Sequence, residues 1–220
     1  KRWRVRYLML APHRLGFFLA MVVLVASGLW WALVQLDRST GWLALPSVIS
    51  PTLVHSAVMA FGFIPLFFSG FLFTAGPKWL GVEAPLAKDL RVPLFSLAAG
   101  WLLWLAGAHV NMALALVGLA AAWIGLTWSV VLFWRLVLGS DVADRVHAKT
   151  VGVGGVVGML CLAGVGLALA AGQPALALVL VRTALWGFIV VVYVSVAHRM
   201  IPFFTSSAMP LVQAWRPFWV

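Results

Sequence analysis

Long uncharged apolar runs alternate along the chain with short connections that carry most of its polar residues. A helix that crosses the hydrocarbon core of a bilayer needs roughly 20 consecutive apolar residues. Six runs meet this requirement: 15–36, 52–75, 92–109, 112–134, 151–171 and 175–197. The alternation of polar and apolar positions that is typical of outer-membrane β-strands is absent. The pattern therefore predicts an all-α transmembrane bundle of six helices that forms a single membrane domain over residues 1–220.

Composition supports this class of protein. Hydrophobic residues make up 64% of the chain and charged residues 9%, and the mean hydropathy is +1.08. A soluble domain has about 25% charged residues, because its surface needs polar cover. The lipid bilayer is therefore the expected surrounding, and a soluble domain is excluded. The single cysteine, Cys161, excludes an internal disulfide and a Cys-x-x-Cys metal site.

The distribution of basic residues predicts the orientation. Thirteen of the 15 Lys and Arg residues lie in four segments: the amino-terminal segment, the second-to-third and fourth-to-fifth connections, and the segment after the last run. With six spans these segments share one side, and the positive-inside rule makes that side cytoplasmic. We expect both termini in the cytoplasm, a bacterial inner-membrane location, and a first run that stays as a signal anchor. The net charge of +10 then reflects topology and implies no nucleic-acid partner.

Ionisable residues at membrane depth are functional candidates, because an unneeded charge or imidazole is costly there. His13 and His198 fall at the cytoplasmic ends of the first and sixth helices, and His55 and His109 at the outer ends of the second and third. Neutral imidazole binds haem iron and copper. Hydrogen bonding at the interface is the alternative role. We expect His147 to be a solvated residue of the fourth-to-fifth loop.

Two of the histidines occur in matching contexts. His13-Arg14 and His198-Arg199 are each followed within six residues by two consecutive phenylalanines, at the same side of the membrane. In each His-Arg pair the imidazole can bind haem iron, and the guanidinium can form a bidentate ion pair with a haem propionate. Alternatively, Arg14 and Arg199 reach the lipid phosphates.

Arg182 is the only formal charge inside a run, and no run contains Asp or Glu to pair with it. A charge at the centre of the membrane costs about 2.5–3.5 kcal/mol. An anionic cofactor group, a water-filled cavity or an acidic partner chain would remove this cost, and extension of the side chain to the outer headgroups would reduce it. The Gly154…Gly158 spacing predicts close helix packing, and Pro65 predicts a kink in the second helix.

Several stretches resemble a known family. They are Pro12-His13-Arg14, His55 with the 59–63 segment Met-Ala-Phe-Gly-Phe, the segment 70–81, the segment 196–205, and Trp-Arg-Pro at 215–217. In these stretches the chain resembles the amino-terminal half of the NnrS proteins, bacterial inner-membrane proteins of the nitric-oxide response. The resemblance implies haem b and copper as cofactors, with His13, His55 and His198 as matching ligand candidates.

The chain also departs from the family pattern. Where the family has a sequence similar to His-Ala-His-Glu-Met, residues 55–59 read His-Ser-Ala-Val-Met, so a second histidine and a glutamate are missing. Members are typically about twice as long, which makes this chain comparable to a half-length relative or to one piece of a larger complex.

Three functions follow as hypotheses. The first is a haem protein of redox or nitric-oxide chemistry, with His13 and His198 as axial candidates and His55, with His109, at a second site for haem or copper. The arginines that could bind cofactor anions are Arg14, Arg199 and Arg182. The second is a cofactor-free structural or assembly subunit that packs against other membrane subunits or further copies of itself. The third, a transporter, has the least support, because polar broken helices at mid-membrane are lacking.

Overall fold

The computed structural model describes residues 4–209, together with their side chains except those at positions 5, 203, 206 and 207. Within this part of the chain the regular secondary structure is entirely helical. The terminal basic residues Lys1, Arg2 and Arg216 and the 215–217 motif lie outside the described residues.

Six helices are long and apolar enough to cross a membrane. After a short 3₁₀ helix (Val5–Leu10) the first five are α1 (Pro12–Thr40), α2 (Pro51–Leu80), α3 (Arg91–Val110), α4 (Met112–Leu138) and α5 (Val146–Ala170). Helix α6 consists of Pro174–Ala184, a π-helical turn Leu185–Val190, and Val191–Ala208. Each predicted apolar run corresponds to one of these helices, so the all-α fold with six helices of membrane-spanning length is confirmed.

The helices extend beyond the apolar runs at several ends. A charged residue at a membrane surface does not stop the backbone from continuing its i to i−4 hydrogen bonds. Helix α5 accordingly begins at Val146, ahead of Lys149, and α6 continues to Ala208. The loop position expected for His147 was wrong, because His147 lies on the first turn of α5.

Successive helices run in opposite directions, so α1, α3 and α5 begin where α2, α4 and α6 end. We call this the basic end of the bundle; it carries Arg14, Lys78, Arg145, Lys149 and Arg199. At this end a buried hydrogen bond, 2.6 Å long, runs from Ser140 Oγ to the Leu80 carbonyl oxygen. Ser140 lies just after α4 and Leu80 is the last residue of α2, so the bond joins the two helix ends. We call the other end the opposite end. Which of the two faces the cytoplasm stays a prediction.

Helices α3 and α4 form the closest pair, as their short connection predicts. Asn111 alone separates them, and its side-chain oxygen accepts a hydrogen bond from the Leu114 N–H at 2.8 Å, which caps α4. A Cβ atom on Gly118 would lie 2.6 Å from the backbone nitrogen of Trp104. Only glycine at this position allows the two backbones to approach so closely.

The glycines of α5 have a different packing role. At Gly158 the ring of Phe188 occupies the space that a Cβ atom would take, and at Gly154 Val192 lies close. The glycine spacing therefore gives close packing through side chains of α6. Pro65 in α2 lies two residues after a π-helical turn, Met59–Phe63, which is close to the place where the sequence predicts a kink.

Candidate functional site

Two imidazoles meet at the basic end, where the start of α5 lies beside the last part of α6. His147 Nε2 and His198 Nδ1 are 2.8 Å apart. The ring planes differ by only 11°, and the centroids are 4.9 Å apart. At this distance one of the two nitrogens carries the proton and the other accepts it. The second nitrogen of His198, Nε2, is buried and has no hydrogen-bond partner among the described residues.

Sequence reasoning missed this pair, because it placed His147 in a solvated loop. The signal that could have found it is topological. His147 lies one turn before the fifth apolar run, and His198 directly follows the sixth, so a small helical extension of each run brings them to the same end. Their contact also depends on how α5 and α6 are rotated, which the apolar runs do not specify.

His13 lies at the start of α1 at the same end, half-buried beside α2. Its Nδ1 is 3.4 Å from Thr74 Oγ1, and that hydroxyl is 2.8 Å from the Gly70 carbonyl oxygen. The hydroxyl has one proton and donates it to the carbonyl, so toward His13 it can only accept. Nδ1 of His13 therefore carries its proton, which leaves Nε2 with the lone pair that a metal requires.

The two arginines beside these histidines differ in their surroundings. The Arg199 guanidinium lies over the Trp79 ring, 5.4 Å from its centroid, and so links the last part of α6 to the end of α2 by a cation–π contact. Arg14 is exposed, and it donates a 3.4 Å hydrogen bond to the Tyr7 carbonyl oxygen. Both guanidinium groups thus lie at the end of the bundle that holds His13 and His198.

His109, at the opposite end, is fully engaged in hydrogen bonds. Trp30 Nε1 donates to His109 Nε2 at 2.7 Å, and His109 Nδ1 is 2.6 Å from the Pro46 carbonyl oxygen. Because the indole N–H can only donate, Nε2 accepts and Nδ1 donates to the carbonyl. A metal could bind His109 only after one of these bonds was broken.

His55 lies one turn inside the opposite end and stacks on Trp31, with 4.2 Å between the ring centroids and 16° between the planes. Its Nδ1 is buried without a hydrogen-bond partner among the described residues. The guanidinium of Arg38 also lies over the Trp31 ring, 5.4 Å from its centroid. His55 therefore keeps a free nitrogen, in contrast to His109.

Arg182 lies on the exposed face of α6, away from the interior of the bundle. It is eight residues from Pro174, or roughly 12 Å along the helix axis. Because side chains of a helix point toward its start, this arginine extends toward the opposite end. No hydrogen bond or ion pair joins its side chain to another described residue.

The structure brings some of the predicted residues together and keeps others apart. His147 and His198 are in contact, whereas no hydrogen bond or ring contact joins His13 to His198 or His55 to His109 among the described residues. Over the same part of the chain, no group of three or more His, Cys, Asp or Glu residues is arranged to hold a metal ion.

A small cavity of about 40 Å³ lies between α2, α4, α5 and α6, away from the histidines. Its lining is almost entirely apolar. The two hydroxyls at its wall, those of Ser69 and Ser129, donate to the carbonyl oxygens four residues earlier in their own helices. The cavity thus offers no free hydrogen-bond donor and no metal ligand.

The fold and the positions of these residues define a polytopic helical membrane protein with histidines at both ends of its bundle. The family model described as NnrS protein matches residues 7–220, and the chain belongs to the NnrS family. No curated protein and no solved structure matches it.

Proposed function

We propose that the chain is a haem b protein of the bacterial inner membrane that takes part in the response to nitric oxide, with its basic end in the cytoplasm. The observation that carries the proposal is His198, whose Nδ1 is engaged by His147 while its Nε2 is buried and has no hydrogen-bond partner among the described residues. A histidine held by one ring nitrogen, with the other left free, has the arrangement of a metal ligand. Membership of the NnrS family supports the same function.

The donor set favours haem over a bare copper ion. Copper needs several protein ligands, and the described residues contain no group of three or more His, Cys, Asp or Glu that could hold it. Haem brings its porphyrin nitrogens and requires only an axial ligand from the protein. Copper therefore remains the second choice, with His55 as its single imidazole ligand at the opposite end.

The contact between His147 and His198 limits how haem could be held. His198 Nδ1 and His147 Nε2 are in direct hydrogen-bond contact at 2.8 Å, so neither of these two atoms would be available to hold a haem iron while the contact persists. His198 alone would therefore bind through Nε2. Because that atom is covered, neighbouring side chains would have to move to admit a porphyrin.

His13 provides the second axial candidate at the basic end, because its Nε2 has a lone pair. Arg199 and Arg14 are the guanidinium groups that could bind the propionates, and exposed Arg182 is too far toward the opposite end to join them. Bound haem would supply one-electron redox chemistry and an iron atom for a small ligand. The protein residues would bind, orient and neutralise it.

The experiment is an absorption spectrum and an iron and copper analysis of the detergent-purified protein. We expect a Soret band with iron in stoichiometric amount, and we expect His198→Ala and His13→Ala to change or remove it. His109→Ala is the matched control, because its imidazole is engaged at both nitrogens. A wild-type protein with neither a Soret band nor stoichiometric metal would refute the proposal.

A second candidate function, a cofactor-free subunit of a larger membrane complex or homo-oligomer, is favoured by Arg182. Its charge lies on the exposed face of α6 within a membrane span. A carboxylate on a partner helix would stabilise it there. If this is its role, Arg182→Ala should abolish co-purification of a partner while Arg182→Lys retains it. A solitary monomer unaffected by either substitution would contradict this function.

A further inference from the structure

The cavity between α2, α4, α5 and α6 is almost completely enclosed by buried residues. Every residue that lines it is buried except Phe68, which is half-buried. Apart from the hydroxyls of Ser69 and Ser129, the wall is apolar. The volume is about 40 Å³, whereas a cavity can hold a water molecule from about 10–15 Å³. The cavity therefore has room for a molecule of two or three atoms.

Water is a poor occupant of this space, because a buried water molecule typically makes about three hydrogen bonds. Ser69 and Ser129 donate their hydroxyl protons to carbonyl oxygens of their own helices, at 2.7 and 2.9 Å. A water molecule could donate to these two hydroxyl oxygens at most, and no side chain of the wall could donate to it. An uncharged molecule that needs no hydrogen bonds is stabilised here by contact with the apolar wall.

A second apolar space, of about 300 Å³, lies on the outside of the bundle. We call it the α2–α6 groove, because α2 lines it between Phe63 and Phe68 and α6 lines it between Ile189 and Tyr193. Phe67 and Tyr193 are exposed, so the groove faces the lipid. Phe68 is the one described residue that lines both the groove and the cavity. Its ring therefore separates the cavity from the bilayer.

Both π-helical turns of the described chain lie beside these two spaces. The turn in α2, Met59–Phe63, ends at a residue that lines the groove. In α6 the turn Leu185–Val190 contributes Phe188 to the cavity and the next residue, Ile189, to the groove. Turns of this kind inside α-helices are frequent at functional sites. The irregular parts of α2 and α6 thus coincide with the cavity and its entrance.

We propose that the cavity binds a small uncharged gas molecule, which enters from the bilayer through the α2–α6 groove and past the ring of Phe68. Such gases dissolve better in hydrocarbon than in water, so the lipid is their reservoir. The proposal rests on the proposed function only for the identity of the gas, nitric oxide. Along α5, Val151 at the cavity is one turn, about 6 Å, from His147, which contacts the candidate haem ligand His198.

The first test uses xenon, an apolar atom that is located by its anomalous scattering and needs no cofactor. Crystals of the detergent-purified protein are placed under xenon pressure. We expect a xenon atom in the cavity of the wild type and of Ser129→Ala, which removes the hydroxyl without filling the space. Ser129→Leu fills the cavity and should lose the site. A wild-type cavity that stays empty or holds an ordered water molecule under xenon would overturn the proposal.

Val192→Ala extends this test if Ser129→Leu does not fold. The substitution enlarges the cavity, because Val192 is a buried residue of its wall. We expect a higher xenon occupancy than in the wild type at the same pressure. An unchanged occupancy would count against binding in this cavity.

The second test concerns the route. Saturation transfer of ¹²⁹Xe in detergent solution measures the rate at which bound xenon exchanges with free xenon. Phe68→Ala removes the ring between the two spaces and should raise this rate. Phe67→Ala is the matched control, because Phe67 lines the groove alone, and it should keep the wild-type rate. Equal rates in Phe68→Ala and the wild type would refute entry past Phe68.

A third measurement separates this proposal from the proposed function. In haem-loaded protein, flash photolysis gives the rate at which nitric oxide binds, and we expect Ser129→Leu to lower it while Ser129→Ala does not. Xenon in the cavity of a protein that binds no haem refutes the proposed function alone. A haem-loaded protein whose cavity takes no xenon, and whose nitric-oxide binding is the same in Ser129→Leu, refutes the gas site alone.

Discussion

Replacing His109 with phenylalanine tests whether this histidine is structural or a ligand. The change removes two hydrogen bonds, the 2.7 Å bond from Trp30 Nε1 and the 2.6 Å bond to the Pro46 carbonyl oxygen. Each is worth about 0.5–1.5 kcal/mol, and a buried partner left unsatisfied costs more. We therefore expect the free energy of unfolding to fall by about 1–3 kcal/mol.

The bond to Pro46 holds the connection between α1 and α2, so the effect should spread there. Val48 N–H donates to the Ala108 carbonyl oxygen at 2.9 Å, which attaches the connection to the end of α3 beside His109. Denaturant unfolding in detergent micelles measures the stability, and limited proteolysis of residues 41–50 measures the opening of the connection. Trp30→Phe is the matched partner in a double-mutant cycle, with an expected coupling of about 1 kcal/mol.

The cofactor content distinguishes this role from ligation. Because both nitrogens of His109 are engaged, His109→Phe should keep the absorption spectrum and metal content of the wild type. A variant that loses its metal or shifts its spectrum while unfolding at the wild-type denaturant concentration would refute the reasoning. In that case the hydrogen bonds of His109 with Trp30 and Pro46 would not be present in the functional protein.

Three further predictions concern stability in detergent. Gly118→Leu should destabilise the bundle by about 3 kcal/mol or more, since the new side chain meets backbone of α3, whereas Gly28→Leu, with no atom within 4 Å of its Cβ position, should be tolerated. Ser140→Ala should cost about 1–3 kcal/mol in thermal unfolding, because it leaves the Leu80 carbonyl oxygen without its 2.6 Å partner. Asp37→Ala should make the α1–α2 connection more sensitive to protease, because this carboxylate accepts two backbone hydrogen bonds, at 2.9 and 3.0 Å.

The number and order of the helices could be predicted from sequence, because an uncharged run of bilayer length is a local property. The helix ends could not be predicted in the same way. Around Val146 the residues are polar enough to end an apolar run but include no helix breaker, and beyond His198 helix α6 continues through Pro202 to Ala208. His147 was misplaced for this reason.

The candidate site was only partly predictable. The sequence indicates which histidines lie at which end of the bundle, but their contacts depend on how each helix is rotated about its axis. A run that is apolar on every side does not show which of its faces points toward a neighbouring helix. The pairing of His198 with His147, and the exposed direction of Arg182, therefore required the structure. The roles of His13 and His55 as ligands remain predictions.

Helix rotation in this bundle must be set by something other than the hydrophobic effect, since lipid is as apolar as the interior. The buried polar side chains of the described residues are four serines, and three of them, at positions 27, 69 and 129, bond only within their own helices. The polar contacts between helices instead lie mainly at the ends, where His109 meets Trp30 and His147 meets His198. These histidines fix helix orientation in two ways. His109 uses both ring nitrogens in hydrogen bonds, whereas His198 uses Nδ1 and its Nε2 has no hydrogen-bond partner among the described residues. Because the contact between His147 and His198 joins the start of α5 to the last part of α6, we expect removal of the His147 imidazole to weaken the attachment of these two helices at the basic end.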